Sequence, residues 1–173
     1  GHAVTVWSAL PAEISHLKQT RKHPNLPCMT IPDSIVFTAD LESACVAKDL
    51  VVFAVPSVFV RQTAQNARAY LPDGQIIADL AKGIEPDTLM TLTEVIRSVL
   101  QQDGRHDAIR LVALSGPTHA EEVALQLPTT IVSASVDKQA AEFVQQVFTN
   151  ETMRVYTSSD VKGVEVSGAL KNI

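Results

Sequence analysis

The sequence has 173 residues, of which 46% are hydrophobic and 19% are charged, and its formal net charge at pH 7 is −5. This composition is typical of a globular domain with a substantial core and differs from that of a disordered chain. The negative charge gives no electrostatic reason to expect binding to nucleic acid or to an anionic membrane. No apolar run approaches the ~20 residues of a membrane-spanning helix, so we expect neither a membrane span nor a signal peptide.

The cysteines and histidines give no sign of a metal centre or a disulfide framework. Cys28 and Cys45 are the only cysteines and form no CxxC pair, and the five histidines lack metal-ligand spacing. We therefore expect no bound metal. The reducing cytoplasm is the compartment that this cysteine usage favours.

Strand patterns and helix patterns alternate along the sequence. Short apolar and β-branched runs predict strands at residues 3–7, 35–38, 49–55, 75–80, 110–114, 128–135 and 153–157. Amphipathic or capped segments predict helices at residues 10–21, 41–46, 57–70, 87–102, 118–126, 138–148 and 160–173. This alternation predicts a Rossmann-type, doubly wound α/β fold with a mainly parallel sheet and helices on both faces.

Several local signals support these elements. Residues 49–55 are apolar almost without a break, which is typical of a parallel strand covered on both faces. Asp40, Ser57 and Asp137 are the predicted N-caps of the helices that they precede. Residues 23–34 contain three prolines and are predicted to form a loop.

The last predicted helix carries an unusual combination of residues on one face. Val164, Gly168 and Lys171 fall at i, i+4 and i+7, and either Ser159 or Asp160 can cap the helix. A glycine inside a helix costs about 1 kcal/mol relative to alanine, so a close contact at Gly168 is expected to offset that cost. On the helix alone, the favoured interpretation is that Lys171 reaches out to solvent, and the rest of the chain reverses it.

Parallel α/β sheets bind ligands beyond the carboxyl ends of their strands. Lys82 follows a predicted buried strand and precedes Gly83, so its ammonium group is expected to point into that crevice. The other turns at this edge can also be read as ordinary turns with helix caps. The four candidate segments are Trp7-Ser8-Ala9, Val55-Pro56-Ser57, Ala81-Lys82-Gly83 and Ser115-Gly116-Pro117-Thr118.

Taken in order, the motifs resemble those of NAD(P)-dependent glycerol-3-phosphate dehydrogenase, and the resemblance covers essentially the whole chain. Any one motif is weak, but their shared order and spacing make the resemblance specific. The motifs are Val4-Thr5-Val6-Trp7, Ala54-Val55-Pro56-Ser57, Ala81-Lys82-Gly83-Ile84-Glu85, residues 114–124, Pro128-Thr129-Thr130, Gly163-Val164-Glu165 and Gly168-Ala169-Leu170-Lys171-Asn172.

The resemblance implies hydride transfer between NAD or NADP and C2 of sn-glycerol 3-phosphate, which gives dihydroxyacetone phosphate. It implies that Lys171 accepts the hydroxyl proton and that Lys82 polarises the developing carbonyl oxygen. Alcohol oxidation needs a base with a pKa near neutrality, and a second ammonium group nearby lowers the pKa of a lysine. The implied substrate-binding residues are Lys82, Gly116, Thr118, Lys171 and Asn172, and the implied cofactor-binding residues are Trp7, Ser8, Pro56, Lys82 and Ala120.

The resemblance also implies a biological setting and a division into domains. We expect a cytoplasmic homodimer that supplies precursors for glycerophospholipids. Residues 1–157 are expected to form the dinucleotide-binding domain, and residues 158–173 to begin a helical substrate domain.

The sequence departs from the family pattern in three places. Ala9 stands where the family commonly has a basic residue near the adenosine ribose, which favours NAD over NADP. Asn25 replaces an aromatic residue before Leu26-Pro27, so no cofactor contact is expected there. There is also no G-x-G-x-x-G, and the first strand of the fold is missing. We therefore expect this sequence to be an incomplete piece of the enzyme. Tested by itself, it is expected to be inactive and to have a gap in its sheet.

Two alternatives remain open at the level of sequence. One is another lysine-dependent Rossmann dehydrogenase, of the ketopantoate reductase or 6-phosphogluconate dehydrogenase type. The other is a nucleotide-binding or interaction module without catalytic activity.

Overall fold

The computed structural model describes residues 1–171, in which strands and helices alternate along the chain. The strands are β1 (Thr5–Trp7), β2 (Val36–Thr38), β3 (Val51–Phe53), β4 (Ile76–Asp79), β5 (Arg110–Ser115), β6 (Thr129–Ala134) and β7 (Met153–Ser158). The α-helices are α1 (Pro11–Thr20), α2 (Leu41–Cys45), α3 (Val60–Ala67), α4 (Leu92–Leu100), α5 (Ala120–Ala124), α6 (Lys138–Phe148) and α7 (Val161–Leu170).

The strands form two sheets. One contains β1 and β2 in parallel, and the other has the order β3-β4-β5-β6-β7. All pairs in the larger sheet are parallel except β5 with β6, which is antiparallel. The predicted α/β fold with a mainly parallel sheet is therefore confirmed.

Helices pack on both faces of the larger sheet, and successive side chains of its strands point alternately to one face and to the other. Ile77 of β4 packs in one buried cluster with residues of α3 and α4, such as Val60 and Ile96. Ile76 and Ala78, which flank Ile77, pack in a second cluster with residues of α6. Adjacent residues of a strand point to opposite faces, so the two clusters lie on opposite sides of the sheet.

The two sheets leave a gap where the sequence predicted one. In the part of the chain that the structure describes, β1 pairs only with β2 and β3 pairs only with β4. The strand predicted at residues 49–55 is confirmed in its centre, but the prediction that both of its faces are covered is wrong. Only Val51–Phe53 is a strand, and Val52 is 40% exposed between two buried neighbours, because this strand lies at the edge of its sheet.

Several helix bounds differ from the prediction. Helix α4 begins at Leu92 instead of residue 87, because residues 84–91 form a turn that is closed by a bridge between Ile84 and Thr91. The main-chain N–H of Thr91 donates to Glu94 at 2.8 Å in a capping box, which defines the new start. Ser57 makes no capping hydrogen bond and begins a 3₁₀ turn that precedes α3.

Other helix caps are as predicted. The side chains of Asp40 and Asp137 accept main-chain hydrogen bonds at the starts of α2 and α6. Asp160, one of the two candidates, caps α7 by accepting a hydrogen bond from the N–H of Gly163 at 2.9 Å. Within residues 1–171, no helix has the length and apolar character needed to cross a membrane.

Candidate active site

The carboxyl ends of the parallel strands β3, β4 and β5 lie at the same edge of the sheet, and two lysines converge there. Lys82 follows β4, and its Nζ donates to the carbonyl oxygen of Gly116 at 3.2 Å and lies 3.4 Å from the Thr118 hydroxyl. The Nζ of Lys171 donates to the carbonyl oxygen of Thr118 at 2.7 Å. The turn after β5 therefore binds both ammonium groups.

The close approach of the two lysines changes the titration of one of them. Burial lowers the pKa of Lys82, and the charge of the neighbouring Lys171 lowers that pKa further. A lowered pKa brings an amine closer to the range in which it exchanges protons at neutral pH. The structure thus brings together four of the predicted substrate-binding residues, Lys82, Gly116, Thr118 and Lys171. The fifth, Asn172, lies outside the described residues.

Gly168 allows α7 to approach the sheet closely enough for Lys171 to reach Thr118. A Cβ atom at Gly168 would lie 2.5 Å from Oγ of Ser115 and 3.8 Å from Cγ of Lys82. The predicted close contact at this glycine is confirmed. Lys171 is half-buried against Thr118, and the alternative of a lysine that extends into solvent is wrong.

A buried glutamate on the same helix was not predicted as part of the site. Glu165 is 8% exposed, and its two carboxylate oxygens accept hydrogen bonds from Thr93. The donors are the N–H of Thr93 at 2.8 Å and its hydroxyl group at 2.6 Å. Glu165 and Gly168 are three residues apart and are the buried positions of α7. That spacing is the sequence signal that could have identified the buried glutamate.

A second buried carboxyl group lies at the end of β4. Asp79 is 3% exposed, and its Oδ1 accepts a hydrogen bond from the N–H of Ala81 at 3.3 Å. Burial raises the pKa of Asp79 to about 7, and the negative charge of Glu165 adds to the shift, whereas the hydrogen bond from Ala81 opposes it. Asp79 therefore shapes the turn that leads to Lys82, and it was also not predicted.

The turn that carries Lys82 is fixed on its far side by an ion pair. Nε and Nη2 of Arg61 in α3 donate to the two carboxylate oxygens of Glu85 at 2.8 and 2.6 Å. Hydrogen bonds from Arg61 and Thr88 lower the pKa of Glu85 to about 2. Gly83, at φ 151°, packs tightly against Ser57, because a Cβ added to it would lie 3.0 Å from Cβ and Oγ of that residue. The turns that follow β3 and β4 are therefore in contact.

Gly116 has a packing role that accounts for its identity. A Cβ at this position would lie 2.8 Å from the carbonyl oxygen of Thr130 and 2.9 Å from Cα of Ile131. Only glycine therefore lets the turn after β5 lie against β6. Its carbonyl oxygen meanwhile faces Lys82.

The predicted cofactor-binding residues lie at the ends of several strands. Trp7 and Ser8 are at the carboxyl end of β1, where the indole N–H of Trp7 donates to Ala39 at 3.3 Å. The hydroxyl of Ser8 donates to the carboxylate of Glu13. Pro56 follows β3, and Ala120 is the first residue of α5.

That these residues contact a dinucleotide stays a prediction. Trp7, Ser8, Pro56 and Lys82 lie at or just beyond the carboxyl ends of strands, where such cofactors bind in folds of this kind. Residues 1–171 contain no glycine-rich turn of the kind that binds pyrophosphate. No group of three or more His, Cys, Asp or Glu side chains suited to a metal ion occurs among the described residues.

A mainly parallel sheet with helices on both faces, and a crevice at its carboxyl edge, defines a Rossmann-type nucleotide-binding domain. Comparison with known sequences then gives the family. Residues 1–141 match the family model described as the NAD-dependent glycerol-3-phosphate dehydrogenase N-terminus, and the chain belongs to this family.

Curated relatives carry the same family name. A protein of Lactobacillus delbrueckii subsp. bulgaricus named glycerol-3-phosphate dehydrogenase [NAD(P)+] 2 is 62% identical over all 173 residues, which cover 51% of that protein. A glycerol-3-phosphate dehydrogenase [NAD(P)+] of Agathobacter rectalis is 45% identical over the whole chain, which covers 50% of it. The chain thus spans about half the length of these relatives.

Solved structures show the same fold. The glycerol-3-phosphate dehydrogenase of Coxiella burnetii superposes with a TM-score of 0.88 at 25% identity, over 98% of this chain and 50% of that one. A ketopantoate reductase of Ralstonia eutropha superposes with a TM-score of 0.68 at 18% identity, over 95% of this chain and 51% of that one. The second likeness shows a shared fold only, so the family membership rests on the sequence matches.

Proposed function

We propose that this chain provides the cofactor-binding half and both catalytic lysines of an oxidoreductase. The reaction interconverts sn-glycerol 3-phosphate and dihydroxyacetone phosphate with NAD or NADP. The observation that carries this proposal is the convergence of Lys82 and Lys171 on the turn that contains Gly116 and Thr118. The names of the relatives support the choice of substrate.

The two lysines have complementary roles in this reaction. Lys171 accepts the proton of the C2 hydroxyl group, and Lys82 stabilises the negative charge that develops on the same oxygen. Burial and the charge of Lys171 lower the pKa of Lys82, so the pair releases one proton more readily than two separate lysines would. The bound nicotinamide, when present, supplies the hydride acceptor.

The remaining substrate contacts come from the turn after β5 and from the end of α7. Gly116 and Thr118 border the glycerol moiety, and Asn172 follows the catalytic lysine. Residues 1–157 form the dinucleotide-binding domain in this proposal, and residues 158–173 begin the substrate domain. The two lysines also attract the dianionic phosphate ester toward the crevice.

Binding of the adenosine ribose favours NAD over NADP. Ala9 offers no positive charge at the end of β1, where a 2′-phosphate would need one. The neighbouring Ser8 hydroxyl is bonded to the carboxylate of Glu13, which adds negative charge at this end of the strand. Trp7, Ser8, Pro56, Lys82 and Ala120 are the proposed cofactor contacts.

The setting of the enzyme follows from the same family resemblance. It is a homodimer of the cytoplasm, and its product in the reductive direction is a precursor of glycerophospholipids.

The test is a substrate screen on the full-length enzyme, meaning a polypeptide of the relatives' length that contains residues 1–173. Absorbance of the reduced nicotinamide is followed with dihydroxyacetone phosphate, with ketopantoate, and with 6-phosphogluconate in the oxidative direction. We expect turnover with dihydroxyacetone phosphate alone. Turnover with one of the other two substrates only, or with none of them, would contradict the proposal and support one of the two alternatives.

A further inference from the structure

We propose that Glu165 is a positioning residue for Lys171: by bonding to Thr93, it sets the rotation of α7 and so aims the catalytic amine at the turn after β5. This inference rests on the proposed function, because it concerns the base of that reaction. It adds a residue to which the family comparison assigns no role.

The contact joins two helices that are distant in sequence. Thr93 is the second residue of α4, where main-chain N–H groups have no partner within the helix. Glu165 accepts that N–H at 2.8 Å and the Thr93 hydroxyl at 2.6 Å, so both of its oxygens are used. A carboxylate at a helix N-terminus is also stabilised by the helix dipole. The bond therefore holds α7 at one defined orientation against α4.

A second contact sets the distance of α7 from the sheet. Gly168, one turn after Glu165, lies directly against Ser115 at the end of β5. One contact thus limits rotation about the helix axis and the other limits translation. Together they place Lys171, the next residue after α7, with its Nζ 2.7 Å from the carbonyl oxygen of Thr118.

The other polar link between these helices is too exposed to replace this one. Lys162 of α7 lies 3.4 Å from Glu94 of α4, but their side chains are 73% and 45% exposed. Exposed ion pairs typically contribute only ~0–1 kcal/mol. Glu165, by contrast, is buried and bonded at both oxygens. Loss of its bonds would leave the N–H of Thr93 buried without an acceptor.

The test compares three variants of the full-length enzyme with a matched control. Glu165→Leu removes both bonds, Glu165→Gln keeps the shape and one acceptor oxygen, and Thr93→Val removes only the hydroxyl bond. The control, Glu142→Gln, removes a glutamate whose side chain is 45% exposed on α6. The measurements are kcat and KM with dihydroxyacetone phosphate and the dissociation constant for NADH, which is measured by fluorescence without turnover.

A positioning role predicts a loss of kcat at unchanged cofactor affinity. Misplacement of a catalytic group by ~1 Å can cost ~100-fold in rate, so we expect Glu165→Leu to lower kcat by about 10- to 100-fold. Glu165→Gln and Thr93→Val should lie between Glu165→Leu and the wild type, and the control should match the wild type. NADH affinity should stay within about 2-fold in all of them, because the described cofactor contacts lie on other elements.

Two results would overturn the inference. One is a wild-type kcat in both Glu165 variants, and the other is a loss of NADH affinity in step with kcat, which would indicate general loss of structure. If Glu165→Leu does not fold, Thr93→Val is the deciding variant. It replaces one hydroxyl group by a methyl group, and the inference requires it to lower kcat without changing the affinity for NADH. Failure of the proposed function is a different result: the wild-type enzyme itself would not turn over dihydroxyacetone phosphate.

Discussion

Gly168 shows how a single residue can determine where the proposed catalytic base, Lys171, lies. Its missing side chain lets α7 pack against Ser115, and the hydroxyl of Ser115 has no hydrogen-bond partner among the described residues. A helix interior usually disfavours glycine, but here the close approach outweighs that preference. The position of Lys171 therefore depends on an absent Cβ as much as on any hydrogen bond.

This packing predicts that Gly168→Ala destabilises the protein. The added Cβ would lie 2.5 Å from Oγ of Ser115, and overpacking of this kind costs about 1–3 kcal/mol, against a gain of about 1 kcal/mol in helix propensity. Thermal unfolding should show a lower midpoint for Gly168→Ala. The double variant with Ser115→Ala should recover most of the loss, because the remaining Cβ lies 3.5 Å away, an ordinary contact. A single variant more stable than the wild type would contradict this explanation.

Asp79 predicts a pH dependence of stability. Its pKa is about 7 in the folded protein and 3.8 ordinarily, so between these values the folded state keeps a proton that the unfolded state has lost. Stability from this group is therefore fully present below pH 3.8 and is lost as the pH rises to about 7. Asp79→Asn, which keeps an acceptor for Ala81, should remove this decline.

The measurement is the free energy of unfolding as a function of pH for the wild type and Asp79→Asn. The free energy of unfolding of Asp79→Asn should increase relative to that of the wild type as the pH rises from 5 to 8. Parallel curves over that range would show that Asp79 ionises normally in the folded protein.

At the scale of the elements, the site depends on turns that bring distant segments together. The turn after β4 carries Lys82, contacts Ser57 through Gly83 and is held to α3 by the pair of Arg61 and Glu85. The turn after β5 then receives both lysines. Each helix or strand contributes one side of the crevice, and none of them forms it alone.

Much of this arrangement could be predicted from sequence, and what could not has a common cause. Lys82 follows from a local motif, because a lysine after a buried strand is visible in a short window. Lys171 needed the family resemblance, since the helix pattern alone also allows it to reach out to solvent. Glu165 pairs with Thr93 across 72 residues, and no periodicity reports such a contact. The start of α4 differs from the prediction for a different reason, because the capping box of Thr91 and Glu94 sets it at Leu92.

The residues at the end of β1 predict whether the full-length enzyme prefers NADH or NADPH. With Ala9 in place of a basic residue and Glu13 bonded to Ser8, the full-length enzyme should show no strong preference for NADPH. Ala9→Arg should raise the affinity for NADPH relative to NADH, because a charge-assisted hydrogen bond contributes about 1.5–3 kcal/mol, or roughly 10- to 150-fold. Glu13→Gln should shift the ratio in the same direction. Dissociation constants for both cofactors test this, and a large wild-type preference for NADPH would contradict it.

At the scale of the whole molecule, the gap between the two sheets determines how these 173 residues behave alone. Neither β1 nor β3 has a strand partner on its second edge within residues 1–171, and Val52 is 40% exposed beside that gap. Exposed strand edges with apolar side chains favour pairing with another chain.

We therefore predict that the 173-residue chain expressed by itself self-associates and binds NADH weakly or not at all. Sedimentation velocity and calorimetric titration with NADH are the measurements. A monomer that binds NADH with micromolar affinity would show that the gap neither drives association nor removes the cofactor site.

The most direct test of the two-lysine site is the Lys171→Met variant of the full-length enzyme, with Lys162→Met as its control. Lys162 lies on the same helix but is 73% exposed and bonds only to Glu94 among the contacts described. General base catalysis typically contributes 10² to 10⁴-fold, so Lys171→Met should lower kcat by about that factor and leave NADH binding nearly unchanged. Lys162→Met should retain the wild-type kcat. Turnover by Lys171→Met within a few-fold of the wild type would show that another group accepts the proton.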